Sequence, residues 1–144
     1  MAKELTSNIR PEALVVNNEP DEVSVEFLEA FADAWNRHDV DDLMSFMTDD
    51  CIFEASGGKD NCGTRYEGAE AVRIGYAKAW KDFPNARWNN ARHFVKGKQG
   101  VSEWTFTGTN SEGKQSEVNG CDIFTFRDGK ILIKNSYRKS RPLF

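Results

Sequence analysis

The chain has 144 residues, 19 Lys and Arg against 23 Asp and Glu, and a formal net charge of -4. That length suits a single domain, and a hydrophobic share of 39% with 10 Phe and 4 Trp supplies a core, so disorder is excluded for most of the chain. The mild acidity argues against a nucleic-acid footprint, and no stretch approaches the ~20 apolar residues of a membrane-spanning helix.

The opening MAKELTSNIRPEALVVNNEPDE lacks a charged start followed by an apolar run, so it does not read as a signal peptide. Residues 1–21 are polar, carry Pro11 and Pro20 and show no sustained period; they read as an arm or tail ahead of one domain over 22–144. The 3 cysteines, Cys51, Cys62 and Cys121, form no framework, which suits a reducing, cytoplasmic setting.

The first helix is predicted over 22–37, where Phe27, Leu28, Phe31, Ala34 and Trp35 form one stripe and Asp21 is placed to cap. A second follows at 40–48, capped by Asp39, with Val40, Leu43, Met44 and Met47 as its stripe. CIFEAS, 51–56, reads as a strand and the glycine-rich 57–68 as a loop. A third helix is predicted over 69–82, with Val72, Tyr76, Ala79, Trp80 and Phe83 on one face and Pro84 as its stop. From Ala86 the period changes to two. Strands are predicted over 86–96, 100–109, 114–126 and 130–139, joined by turns at Gly97, Gly113 and Asp128–Gly129. Three helices followed by an antiparallel meander mean an α+β fold, a curved sheet with its concave face covered by the helices.

The segments AWNRHDVDDLMSFMTDDCIFEAS, YEGAEAVRIGY and NGCDIFTFRDGKILIKNSYRK resemble the nuclear transport factor 2-like superfamily, in its SnoaL-like and ketosteroid-isomerase-like branches, over residues 22–139. The resemblance implies a cone-shaped α+β barrel, also called cystatin-like, with one deep pocket and a homodimer formed through the outer face of the sheet. The family's pocket acid falls on Asp122. The isomerase tyrosine of the first helix falls on Phe31 and its general base on Ala55, so steroid isomerisation by that route is not expected. Further pocket positions fall on Trp35, Tyr76 and Trp80, on Glu103, Thr105 and Thr107, and on Lys134, Ser136 and Arg138.

The residues themselves leave alternatives open. Asp122 shares a strand face with Phe124 and Phe126, where a carboxylate is costly unless paired or protonated. It reads as a tuned acid or base, or as a strand-end residue satisfied by its neighbours. For Glu103 there is a conflict: alternation alone sends Trp104 and Phe106 into the core, whereas the family register turns Glu103 and Thr105 inward. Both faces of the sheet would then be covered, Trp104 and Phe106 by a second subunit. Lys134 and Arg138 would neutralise the two carboxylates or hold an anionic ligand, or else form a solvated basic edge. His93 could serve as an acid or base, and is more ordinarily a half-buried structural residue. Trp35, Tyr76, Trp80 and Trp88 suit pocket walls and core equally.

No metal-ligand spacing, phosphate loop or dinucleotide motif is present, so no metal and no cofactor are expected. The expectation is a homodimer whose pocket binds a small polar or anionic metabolite, with no nucleic acid and no membrane among its partners. Asp122 and Glu103 would be the catalytic pair of an isomerase, dehydratase or cyclase. Phe31, Trp35, Tyr76, Trp80, Trp88, Thr105, Lys134 and Arg138 would contact substrate. The alternative is a non-catalytic ligand-binding or protein-interaction module of the same fold.

Overall fold

The computed structural model describes residues 20–144. The expected arm thus lies, but for its last two residues, outside the described part. Helix α1 (Val25–Asn36) is capped by Ser24, whose side chain accepts from the Phe27 amide at 3.1 Å. Asp21, the expected cap, instead accepts from the Gly97 amide at 2.6 Å and ties the helix entry to a sheet turn. Helix α2 (Val40–Ser45) is capped by Asp39 as expected. It ends early because Met47 already begins strand β1 (Met47–Glu54). The glycine-rich stretch contains a short strand, β2 (Arg65–Glu67), that its turn chemistry concealed. Helix α3 (Ala69–Asp82) follows, and then β3 (Arg87–Lys96), β4 (Gln99–Thr109), β5 (Gln115–Arg127) and β6 (Lys130–Arg138).

The described strands form one sheet in the order β2-β1-β6-β5-β4-β3. The meander β3 to β6 is antiparallel throughout. The expected all-antiparallel sheet needs one correction, because β1 lies parallel to β6, with Phe53 beside Lys134. A parallel pair requires a long crossover, which the chain from β2 through β5 supplies. A bulge in β3 between Asn89 and Arg92, where Asn90 takes a positive φ of 56°, bends the edge strand towards α1.

One face of this sheet wraps the helices. The core joins Leu28, Phe31 and Trp35 of α1, Val72 and Tyr76 of α3, and Phe124, Phe126 and Ile131 of the sheet. Each such side chain contributes about 1.5–3 kcal/mol through burial. A second cluster, Ala86, Trp104, Phe106 and Val118, closes the other end. The clusters meet around Trp80 and Trp88, and Trp88 also lines the cavity described below.

Candidate functional site

Residues of α1, α3, β1, β3, β4 and β6 line a cavity of about 370 Å³, within the roughly 300–1,000 Å³ usual for small-molecule sites. Its walls are rings: Trp35, Phe53, Tyr66, Phe83, Trp88, Trp104 and Phe106. Three polar side chains of β6 interrupt them, Lys134, Ser136 and Arg138, while Thr64, Lys78 and Asp82 also line it. Alternation along β6 puts the first three on one face, and the central place of that strand puts the face inside the cup.

Lys134 is 5% exposed although it is a lysine. Its ammonium donates to Ser136 Oγ at 2.9 Å and lies 3.1 Å from Asp122 Oδ1. It also sits over three rings, 4.7 Å from the Phe53 centroid, 4.9 Å from Trp35 and 5.5 Å from Tyr76, which favours the cation by the attraction of each π face. Burial pulls its pKa below the ordinary lysine value, and the Asp122 carboxylate opposes that shift.

Asp122 is 6% exposed and fully engaged. Ser136 Oγ donates to Oδ1 at 2.5 Å and Trp104 Nε1 donates to Oδ2 at 2.9 Å. The indole reaches this carboxylate because Gly120 faces it across the strand pair: a Cβ there would stand 2.6 Å from Trp104 Cη2. Asp122 therefore lies one layer behind the cavity wall, and Lys134 and Ser136 stand between it and a ligand. At the mouth, the Arg138 guanidinium lies 4.1 Å over the Phe106 ring. The arrangement presents an ammonium, a hydroxyl and a guanidinium to whatever enters, backed by one carboxylate that holds two of them. Such a set stabilises negative charge.

The model of the SnoaL-like domain matches residues 28–133. The chain belongs to this family. Among solved structures it is similar to a candidate polyketide cyclase from Xanthomonas campestris pv. campestris, with 19% identity, 79% of this chain and 88% of that one covered and a TM-score of 0.70. It is similar also to an NTF2-like protein of unknown function from Mesorhizobium loti, with 23% identity, coverage of 80% and 89%, and a TM-score of 0.66. A third is TerC co-crystallised with polyporic acid, with 20% identity, coverage of 80% and 90%, and a TM-score of 0.68. Likeness at these identities establishes the shared fold. No curated protein sequence matches the chain significantly.

Within this SnoaL-like domain the expected site residues part into two groups. Trp35, Trp88, Lys134 and Arg138 line the cavity. Phe31, Tyr76 and Trp80 do not. Phe31 is core, edge-on to Trp35, Tyr76 and Phe124. Tyr76 is fully buried with its hydroxyl 3.4 Å from Met47 Sδ, and burial pushes its pKa well above the ordinary tyrosine value. Trp80 stacks on His38 at 5.1 Å.

Glu103 and Thr105 are corrected outright. Both face the convex side, where Glu103 pairs with Arg92 at 2.5 Å and Thr105 donates to Asn119 at 2.7 Å. Trp104 and Phe106, expected at a subunit interface, point inward, 6% and 0% exposed. The simple alternation of β4 held, since two large rings gain more from the interior than a carboxylate without a partner there. Sequence reasoning missed Phe53, Tyr66 and Phe83 as wall residues. Phe53 carried a signal, since alternation along CIFEAS sends it to the face that Cys51 shares. Ala55 does line the cavity, with a methyl group that can move no proton. Among the described residues no three or more His, Cys, Asp or Glu are grouped to hold a metal ion, and no helix is long and apolar enough to cross a membrane.

Proposed function

We propose that the cavity binds a small organic anion with a flat, ring-bearing body, and that the domain carries out cofactor-independent proton transfer on it, of the isomerase, dehydratase or cyclase type. The observation that carries this reading is Lys134, a buried ammonium at the cavity wall, held by Asp122 and Ser136 and ringed by aromatic faces. A cation fixed in a dry site stabilises an enolate or oxyanion far more than one in water. Arg138 at the mouth suits a carboxylate, which its planar fork can grip with two hydrogen bonds. Asp122 acts as a positioning residue in this scheme, because three donors hold its carboxylate and the wall separates it from the ligand. The candidate polyketide cyclase and the TerC complex with polyporic acid support an acidic, ring-bearing ligand for this chain as well.

The test is a thermal-shift panel of aromatic and aliphatic carboxylates, each beside its uncharged amide or ester. Carboxylates are expected to stabilise the protein and their neutral counterparts are not. Lys134→Met is expected to weaken binding of a stabilising carboxylate about 10- to 100-fold, the worth of one charge-assisted hydrogen bond. Equal shifts from charged and neutral partners would overturn the reading. Binding without turnover of any hit would leave a ligand-binding module instead of an enzyme.

The convex face is proposed to be covered by a second copy of the chain. Phe94, Ile123 and Tyr137 stand out from it 52%, 41% and 53% exposed, an apolar display that a lone subunit rarely leaves in water. Sedimentation at micromolar concentration is expected to show a dimer that Ile123→Lys dissociates; a wild-type monomer would end this proposal.

A further inference from the structure

Behind the cavity wall lies a second, partly open void of about 20 Å³. Asp122, Lys134, Ser102, His93 and Trp35 are among the side chains that line it. A void of this size holds one water molecule, provided two to four polar groups meet it. The groups are there. Trp35 is 6% exposed, and its Nε1 has no hydrogen-bond partner among the described residues. His93 Nδ1 lies 2.7 Å from Ser102 Oγ, and Ser102 sits directly across the strand pair from Asp122. His93 also borders the open groove between α1 and β3, with Glu29, Asp33 and Arg87. One imidazole thus touches both the outside and the chamber that holds the buried ion pair.

We propose that the void is a site for one water molecule and that His93 is a positioning residue linking this water, through Ser102, to the outer groove. The chain of groups can carry a proton to the Asp122–Lys134 pair without opening the ligand cavity. A proton arriving on one ring nitrogen of His93 releases the proton on the other to Ser102 Oγ. Ser102 gives its own to the water, and the water gives one to the pair. Each carrier gains one proton and loses one. The groups facing His93 are Glu29 and Asp33 of α1, Arg87 of β3, Asp122 of β5 and Lys134 of β6. Burial holds its pKa below the ordinary 6.5, and the negative charges of Glu29 and Asp122 oppose that shift. Use of this path during turnover rests on the acid–base reading above; the water site and its link to His93 do not.

The experiment is nuclear magnetic resonance on the ligand-free protein. The Trp35 indole proton, assigned by its loss in Trp35→Phe, is expected to show a cross-peak to a long-lived water, and Ser102→Ala is expected to abolish it. His93 is expected to titrate below the ordinary 6.5, and lower again in Asp122→Asn, which removes the negative charge that supports its protonated form. A Trp35 indole with no water cross-peak, one whose cross-peak survives Ser102→Ala, or a His93 midpoint indifferent to Asp122→Asn overturns the proposal. The wild-type cross-peak needs no variant to fold. No ligand enters these measurements, so their failure leaves the carboxylate-binding test standing, and the reverse holds too.

Discussion

The Trp104 indole donates to the Asp122 carboxylate at 2.9 Å, a diagonal contact across β4 and β5 that joins the ring wall of the cavity to its buried charge. One oxygen of Asp122 is thereby kept for Trp104, and the other serves Ser136 and Lys134. Trp104→Phe keeps a ring in the wall and deletes the donor. The unpaired carboxylate oxygen is expected to cost about 1–3 kcal/mol of folding stability. Urea unfolding checks it; a loss under about 0.5 kcal/mol would show that the bond adds nothing to the wall.

That diagonal reach depends on a missing side chain. A Cβ on Gly120 would press to 2.6 Å on Trp104 Cη2 and to 2.4 Å on the Tyr137 carbonyl oxygen. Gly120→Ala is therefore expected to push the indole off Asp122, at about 1–3 kcal/mol for the overpacking. Near-ultraviolet circular dichroism should change with it, because the tryptophan environment changes. An unaltered spectrum together with an unaltered midpoint in urea would mean the strands yield more easily than the ring.

Much of this architecture could be read from the chain, and the failures have two causes. The three helices followed by strands were visible as a switch of period at Ala86, and the inward face of β6 as Lys134, Ser136 and Arg138 two apart. Asp122 was visible as a charge on an apolar strand face; its engagement by Trp104 was not, since a diagonal contact follows from register and from Gly120 and not from spacing. The error at Glu103 and Thr105 came from setting a family register above the residues' own alternation. Trp104 and Phe106 are buried and Glu103 is not, as the pattern of β4 alone requires. Phe53, Tyr66 and Phe83 escaped because they reach the cavity from three separate segments that only the parallel β1–β6 pair and the crossover bring together.

The ion pair at the back of the cavity lends itself to a double-mutant cycle. Asp122→Asn leaves a buried ammonium without its counter-ion and is expected to cost about 3–5 kcal/mol. In a Lys134→Met background there is no ammonium to strand, and the same change is expected to cost less than about 1.5 kcal/mol. The difference, at least about 1.5 kcal/mol, is the coupling between the two groups. Additive costs from chemical denaturation would mean that the 3.1 Å contact carries no stabilising interaction.

Lys134 also fixes how ligand affinity must vary with pH. Burial lowers its pKa in the folded protein from the ordinary 10.5. Between the lowered value and 10.5, the unfolded chain holds the proton more firmly than the folded one, so this group makes stability rise with pH across that window. Below the folded pKa the penalty of keeping a buried ammonium is present in full. Anion binding runs the opposite way, because the ligand needs the charge: affinity for a carboxylate is expected to fall as pH rises through the folded pKa, at a pH where an exposed lysine is still a cation. Fluorescence titration of a stabilising carboxylate from about pH 7 to about pH 10 reads this directly. Wild type should lose affinity on the acid side of the ordinary 10.5, while Lys134→Met, weaker throughout, should stay flat because Arg138 does not titrate there. A flat wild-type profile would place the anion away from Lys134 and move the binding role to the mouth of the cavity.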